Sequence, residues 1–179
     1  RDMYLSRVAA IEGGCAETTP AFNVNRLCGS GLQAVVSASQ AILLGDTDIA
    51  IGGGAENMSR APYVSSTSRW GARMGDTSMT DMMLGALHDP FERIHMGVTA
   101  ENVARKWGID RDAQDRLAVE SHHRAERAWA ADVFRDQIVP IIQKGRKGDV
   151  VFDKDEHFRT GAVLADMSKL KPVFLKENG

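Results

Sequence analysis

Hydrophobic and polar positions divide the chain into three regimes. The first, residues 1–57, is rich in small and apolar residues and almost free of charge after Arg26. Within it, Ala21 to Asn25 follows the turn residue Pro20 and reads as a short strand. After Gly29-Ser30-Gly31, an apolar stretch from about Leu32 to Leu44 reads as a helix, with Gly45 as its stop. Ala34, Ala38 and Ala41 lie on one side of this helix and Leu32, Val35, Val36, Ile42 and Leu43 on others. A helix with so little polar surface is expected to be buried on most faces. Asp48 to Gly52 then reads as a second strand. Strand, helix and strand in this order predict a parallel βαβ unit with a covered sheet, hence an α/β fold.

The second regime, about 58–97, is irregular and rich in Met, Ser, Gly and Arg. The third is helical and then turn-rich. Val98 to Trp107 predicts a helix ended by Gly108, and Asp110 is placed to cap a long helix from Arg111 to about Ala131. Leu117, Ala118, Ala125 and Trp129 are its inner-face candidates. Ile138 to Ile142 is a strand candidate, and 144–149 is a turn into Val150-Val151-Phe152.

Charge narrows the range of partners. Twenty-two basic residues against 24 acidic ones in 179 give no reason to expect nucleic acid or an anionic membrane surface as partner. No apolar run approaches the roughly 18 residues of a membrane span. At 43% apolar residues, a packed core is within reach. Cys15 and Cys28 show no metal-ligand spacing and read as thiols of a reducing, cytoplasmic compartment. The start, Arg1-Asp2-Met3-Tyr4, lacks a signal-peptide apolar region, and both ends read as cuts.

Cys28 is the chemical centre of this pattern. It falls where a predicted strand hands over to a helix, the usual place for chemistry in α/β folds. Free N–H groups and the dipole of a helix N-terminus favour negative charge there. Gly29 and Gly31 leave room for a substrate beside the sulfur. Taken by position alone, a buried structural cysteine is the commoner outcome.

The residues around Cys28 carry more than position. The run 24–35, VNRLCGSGLQAV, resembles the active-site signature of the thiolase family. Gly52-Gly53-Gly54-Ala55-Glu56-Asn57-Met58-Ser59 resembles the strand end that follows in that family, departing from its pattern at Asn57, where a Ser follows the Glu. His95-Met96-Gly97-Val98-Thr99-Ala100-Glu101-Asn102 is similar to its acyl-CoA pocket segment. The segments 137–140, 144–149 and 169–174 resemble it as well, so the likeness runs over essentially the whole chain. It is strongest toward bacterial biosynthetic β-ketothiolases, which supply polyhydroxyalkanoate precursors.

The resemblance implies two pseudo-symmetric βαβ-rich halves with a loop domain inserted in the first. Residues 1–57 would be part of the N-terminal core and 58–179 the loop domain that covers CoA. Cys28 would accept the acyl group, and its backbone N–H would serve one oxyanion hole. The His that activates it, and a second Cys that moves the α-proton, belong to the family's C-terminal half. His95 and Met96 would line the pantetheine and acyl pocket, with Leu87 and Phe174 nearby. Arg159 matches a position near the CoA adenine and phosphates, a role suited to a guanidinium. Acyl-CoA and CoA would be substrates, with no bound cofactor or metal. Val64 to Met79, with Arg69, Trp70 and Arg73, would be a tetramer contact.

Other candidates read as structural. His122 and His123, neighbours on one helix, point about 100° apart and suit a surface better than a shared metal. The basic run 144–147 reads as a solvated turn, Glu56 as a hydrogen-bonding structural acid and Cys15 as inert. Gly52-Gly53-Gly54 lacks the G-x-G-x-x-G spacing of a dinucleotide site. Two alternatives to a thiolase are a ketoacyl-synthase-like condensing enzyme and a non-catalytic CoA-binding module. The His95-Met96-Gly97 insert argues against the former.

Overall fold

The computed structural model describes residues 2–177 and Gly179. They form two compact units, Arg1–Leu87 and His88–Gly179.

The first unit opens with a helix the sequence reading did not expect, α1 (Leu5–Glu12). Arg7 and Asn23 tie it to the segment that follows. The Arg7 guanidinium donates to the carbonyls of Thr19 (2.6 Å) and Glu17 (2.7 Å). Asn23 accepts from the Ser6 N–H at 3.0 Å and donates to the Met3 carbonyl at 3.1 Å. The expected apolar helix is α2 (Ser30–Leu43), starting two residues earlier than the pattern suggested. It closes with the Gly45 N–H on the Ile42 carbonyl (3.1 Å) and the Asp46 N–H on the Ala41 carbonyl (3.0 Å). This is the paired-bond ending that a glycine at φ 78° permits.

The two strands expected to flank α2 do not form ladders. Among the described residues, the named strands make only two antiparallel pairs, and neither includes 21–25 or 48–52. A strand is completed by a neighbour's N–H and C=O groups, and these two segments lack one here. The second still crosses α2 closely: a Cβ on Gly52 would stand 3.0 Å from Val35 Cα. The expectation that α2 is covered on most faces also fails among the described residues. Leu32 is 72% exposed and Leu43 84%.

The stretch read as irregular holds β1 (Tyr63–Val64), β2 (Thr80–Asp81) and α3 (Met82–Ala86). Tyr63 pairs with Asp81 and Val64 with Thr80, so residues 65–79 leave and return at one short ladder. Asp81 caps α3 by accepting the Met83 N–H at 2.9 Å.

In the second unit, the caps anticipated from sequence are in place. α4 (Met96–Trp107) ends at Gly108 in the left-handed region. α5 (Arg111–Ala130) starts at Asp110, whose carboxylate accepts the Ala113 N–H at 2.8 Å. Arg124 and Arg127 hydrogen-bond Glu120 on the outer face of α5 and hold its carboxyl below the usual range. Of the inner-face candidates, Ala118, Ala125 and Trp129 are half-buried, whereas Leu117 is 67% exposed and does not face inward. The hairpin pairs β3 (Ile141–Gln143) with β4 (Val150–Phe152). The strand expected from Ile138 begins only after Pro140, which has no N–H to give a ladder.

The tightest packing lies where α5 meets α6 (Leu164–Met167). Ala162 and Met167, 7% and 8% exposed, are the buried apolar residues there. Arg111 joins the two helices. Its guanidinium donates to the Met167 and Leu170 carbonyls, both at 2.8 Å, and pairs with Asp115 at 2.8 Å.

Candidate active site

The candidate residues fall in both units. Cys28 and Leu87 belong to the first, and His95, Met96, Arg159 and Phe174 to the second.

Cys28 is an exposed free thiol two residues before the first residue of α2. It stands on a tight turn. The Gly29 N–H bonds the Arg26 carbonyl and the Ser30 N–H the Leu27 carbonyl, each at 3.0 Å. Leu27 sits at φ 48°, a conformation that side-chain-bearing residues rarely adopt. The turn is cross-braced by Asn25 and Ser30, side chains whose role the motif alone does not reveal. Arg26 reaches along α2 to Gln33 Oε1 at 2.9 Å, and Gln33 reaches on to Ser37. The result is an exposed thiol held at the helix entrance. The other cysteine, Cys15, is a half-buried free thiol at the end of α1, where its N–H bonds the Ala10 carbonyl.

Leu87 follows α3 as its C-terminal cap and is half-buried.

In the second unit, His95 and Phe174 meet face to face, ring centroids 4.8 Å apart at 28°. His95 also caps α4, its Nδ1 accepting the Gly97 N–H at 2.9 Å. This fixes the unprotonated nitrogen inward, so a neutral ring carries its proton on Nε2. His88 packs edge-on against His95 at 5.2 Å. Met96 begins the helix and is partly exposed. Gly97 is the space-maker of this cluster. A Cβ there would lie 2.1 Å from the Phe174 ring, so the ring occupies the room that a side chain would take. His95, Phe174 and Gly97 thus form one aromatic-walled feature with His88 at its edge, a residue that no motif or pattern in the chain singles out.

Arg159 is exposed, and its backbone is held from α5. The Arg159 N–H donates to His122 Nδ1 at 3.1 Å, the Gly161 N–H to Glu126 at 3.1 Å, and His123 Nε2 meets the Ala162 carbonyl at 2.7 Å. The reading of His122 and His123 as surface residues is therefore corrected. Both are half-buried and fasten residues 159–162 to the helix. Adjacent histidines 100° apart can do this because the loop curls around the helix face. Among the described residues, no three His, Cys, Asp or Glu side chains gather as a metal site, and no helix is long and apolar enough to cross a membrane.

Comparison with known proteins gives this geometry a context. The family description "Thiolase, N-terminal domain" matches residues 1–179. The chain is 68% identical over 179 residues to a protein named beta-ketothiolase BktB from Cupriavidus necator, covering all of this chain and 45% of that protein. It is 50% identical over 173 residues to an acetyl-CoA acetyltransferase of the same organism, covering 96% of this chain and 44% of that one. Among solved structures, the acetyl-CoA acetyltransferase from Syntrophomonas wolfei superposes with a TM-score of 0.89 at 41% identity, covering 97% of this chain and 44% of that one. Human mitochondrial 3-ketoacyl-CoA thiolase gives 0.87 at 38% identity, with coverage of 97% and 44%. The chain spans less than half the length of these relatives.

Proposed function

This chain belongs to the thiolase family and carries part of the α/β fold of its N-terminal half, and from that premise we propose that its protein is an acyltransferase that makes or cleaves β-ketoacyl-CoA through an acyl-enzyme on Cys28. In the simplest case two acetyl-CoA give acetoacetyl-CoA and CoA, reversibly. The observation that carries the reading is the exposed Cys28 thiol on its braced turn before α2, within a chain matched by the family from end to end.

The chemistry balances in two half-reactions. The Cys28 sulfur attacks the thioester carbonyl, the C–S bond to CoA breaks, and CoA leaves as the thiol. A second acyl-CoA then loses an α-proton, its carbanion attacks the Cys28 thioester, and the Cys28 sulfur is released. The proton steps need a His and a second Cys, which the family places in its C-terminal half. Cys28's N–H is assigned to an oxyanion hole. His95, Met96 and Phe174, with Leu87, are assigned to the pantetheine and acyl pocket, and Arg159 to the CoA nucleotide. The names of the relatives, which include a β-ketothiolase and acetyl-CoA acetyltransferases, support acyl-CoA substrates.

Residues 1–57 are assigned to the catalytic core and 58–179 to the loop domain over CoA. This division follows role, whereas the compact units divide after Leu87. Val64 to Met79, with Arg69, Trp70 and Arg73, is assigned to contacts in a homotetramer, and Trp70 and Met74 stand on its surface. The resemblance of its motifs to bacterial biosynthetic β-ketothiolases is the ground for reading a cytoplasmic enzyme that supplies polyhydroxyalkanoate precursors.

The test is to expose the full-length enzyme to acetyl-CoA, quench it, and map the adduct by mass spectrometry. Acetyl on Cys28 and loss of turnover in Cys28→Ala are expected. Acetyl on Cys15 alone, with a fully active Cys28→Ala, would sink the reading.

A further inference from the structure

We propose that Asn25 and Ser30 are positioning residues for Cys28: they hold the backbone before it in a strained turn and so present the sulfur to the acyl donor. The inference rests on Cys28 being the nucleophile and adds how that sulfur is aimed.

The starting point is Leu27 at φ 48°. For a bulky residue this conformation is a genuine outlier, and such strain persists only where the surroundings over-determine it. Within this chain the Leu27 side chain is 61% exposed, and its backbone is fixed by polar bonds. The Leu27 N–H donates to Asn25 Oδ1 at 2.9 Å. Its carbonyl accepts the Ser30 hydroxyl at 2.6 Å and the Ser30 N–H at 3.0 Å. The same Ser30 oxygen accepts the Arg26 N–H at 2.8 Å. One hydroxyl therefore receives a bond from one residue of the turn and gives a bond to the next. Both peptide groups of Leu27 are pinned, and Cys28 is the next residue.

Asn25 is exposed and Ser30 half-buried, and among the described residues the bonds they make are to the backbone of this turn. A relaxed turn would change the direction in which Cys28 points. Strain retained at a reactive side chain, and braced by polar groups, is the arrangement expected when orientation matters to the chemistry.

The experiment uses the full-length enzyme with Ser30→Ala and Asn25→Ala, and Ser30→Thr and Asn25→Asp as the conservative partners that keep the hydroxyl or the acceptor oxygen. Four quantities are read: kcat, KM for acetyl-CoA, the rate of Cys28 alkylation by iodoacetamide at fixed pH, and Tm. The alanine variants are expected to lose about ten- to a hundredfold in kcat. KM should stay within about twofold of wild type, since remote substrate contacts are untouched. Alkylation should slow in parallel, and Thr or Asp should restore most of each loss. Unchanged kcat and alkylation in both alanine variants would overturn the proposal. So would a kcat loss that Thr and Asp fail to restore and that tracks a falling Tm, because that marks a general folding defect. Cys28→Ala is run alongside. Full activity in that variant removes the nucleophile itself and identifies the failure as that of the underlying reading.

Discussion

Gly97 shows how one missing side chain can shape an aromatic cluster. The Phe174 ring occupies the position a Cβ would take, 2.1 Å from it, and stacks on His95 in the same place. Gly97→Ala therefore forces the ring away, and overpacking of this kind costs about 1–3 kcal/mol. The expected outcome is a lower Tm together with a raised KM for acyl-CoA, measured in the full-length enzyme. Phe174→Leu, added to Gly97→Ala, should recover part of the stability, because the smaller side chain yields the space; a strictly additive double variant would show that the two positions do not interact. Legibility at this scale was uneven. Cys28 stood out because a thiol before an apolar helix is chemically loud, and the motif around it is long. His95 and Phe174 could be paired only through family likeness, since 79 positions separate them in sequence. His88 joined them unannounced. Asn25 and Ser30 were printed inside the motif, yet their roles depend on a positive φ at Leu27, which no residue type in the run signals.

Helices announced themselves through their ends, and strands did not. Asp110 and Gly108 bound their helices as expected, because capping is local chemistry written within a few residues. Segments 21–25 and 48–52 have the composition of strands but lack ladder partners among the described residues, and pairing is a non-local property. The inner face of α5 hid its function for a similar reason. Its helical periodicity carries His122, His123 and Glu126 inward, where a hydrophobicity pattern looks only for apolar residues. Their bonds to Arg159, Gly161 and Ala162 make residues 159–162 dependent on the helix. His122→Leu removes the acceptor for the Arg159 N–H, and Glu126→Ala the acceptor for the Gly161 N–H. Amide hydrogen exchange should therefore quicken at Arg159 in the first variant and at Gly161 in the second, with α4 unchanged. Exchange that remains at wild-type rates would show that the loop is held by something else. Arg111→Ala is the stronger perturbation. It deprives the Met167 and Leu170 carbonyls of their donor and leaves the mostly buried Asp115 carboxylate without its cation. A loss of about 1–3 kcal/mol in the stability of residues 88–179 is expected, read by denaturant unfolding.

The surface of the whole chain decides how these 179 residues behave by themselves. A folded protein of this mass exposes about 8,500 Å², and two separate bodies of half the mass about 10,000 Å². This chain exposes 15801 Å². Much of the excess is apolar. Leu32, Val35, Val36, Ile42 and Leu43 of α2 are exposed, as are Ile49 and Ile51 after it and Ile141, Ile142, Val150 and Val151 on the β3–β4 hairpin. Exposed apolar area on this scale belongs to surfaces that other polypeptide covers, and uncovered it drives association. On the proposed function, the second half of the fold supplies that cover, together with the His and the second Cys of the reaction. Cys15, a half-buried free thiol just after α1, has its N–H on the Ala10 carbonyl. General-base help alone contributes about 10²–10⁴ in rate. A polypeptide of residues 1–179 is therefore expected to show no measurable thiolysis of acetoacetyl-CoA and to sediment as a polydisperse aggregate, whereas the full-length enzyme should turn over and sediment as a tetramer. Trp70→Glu and Met74→Glu in the full-length enzyme should then shift that tetramer toward smaller species, because both side chains stand exposed on the 65–79 excursion. Robust turnover by a monodisperse 179-residue chain would show that the catalytic groups and the cover both lie within it, and would overturn the division of labour between two halves.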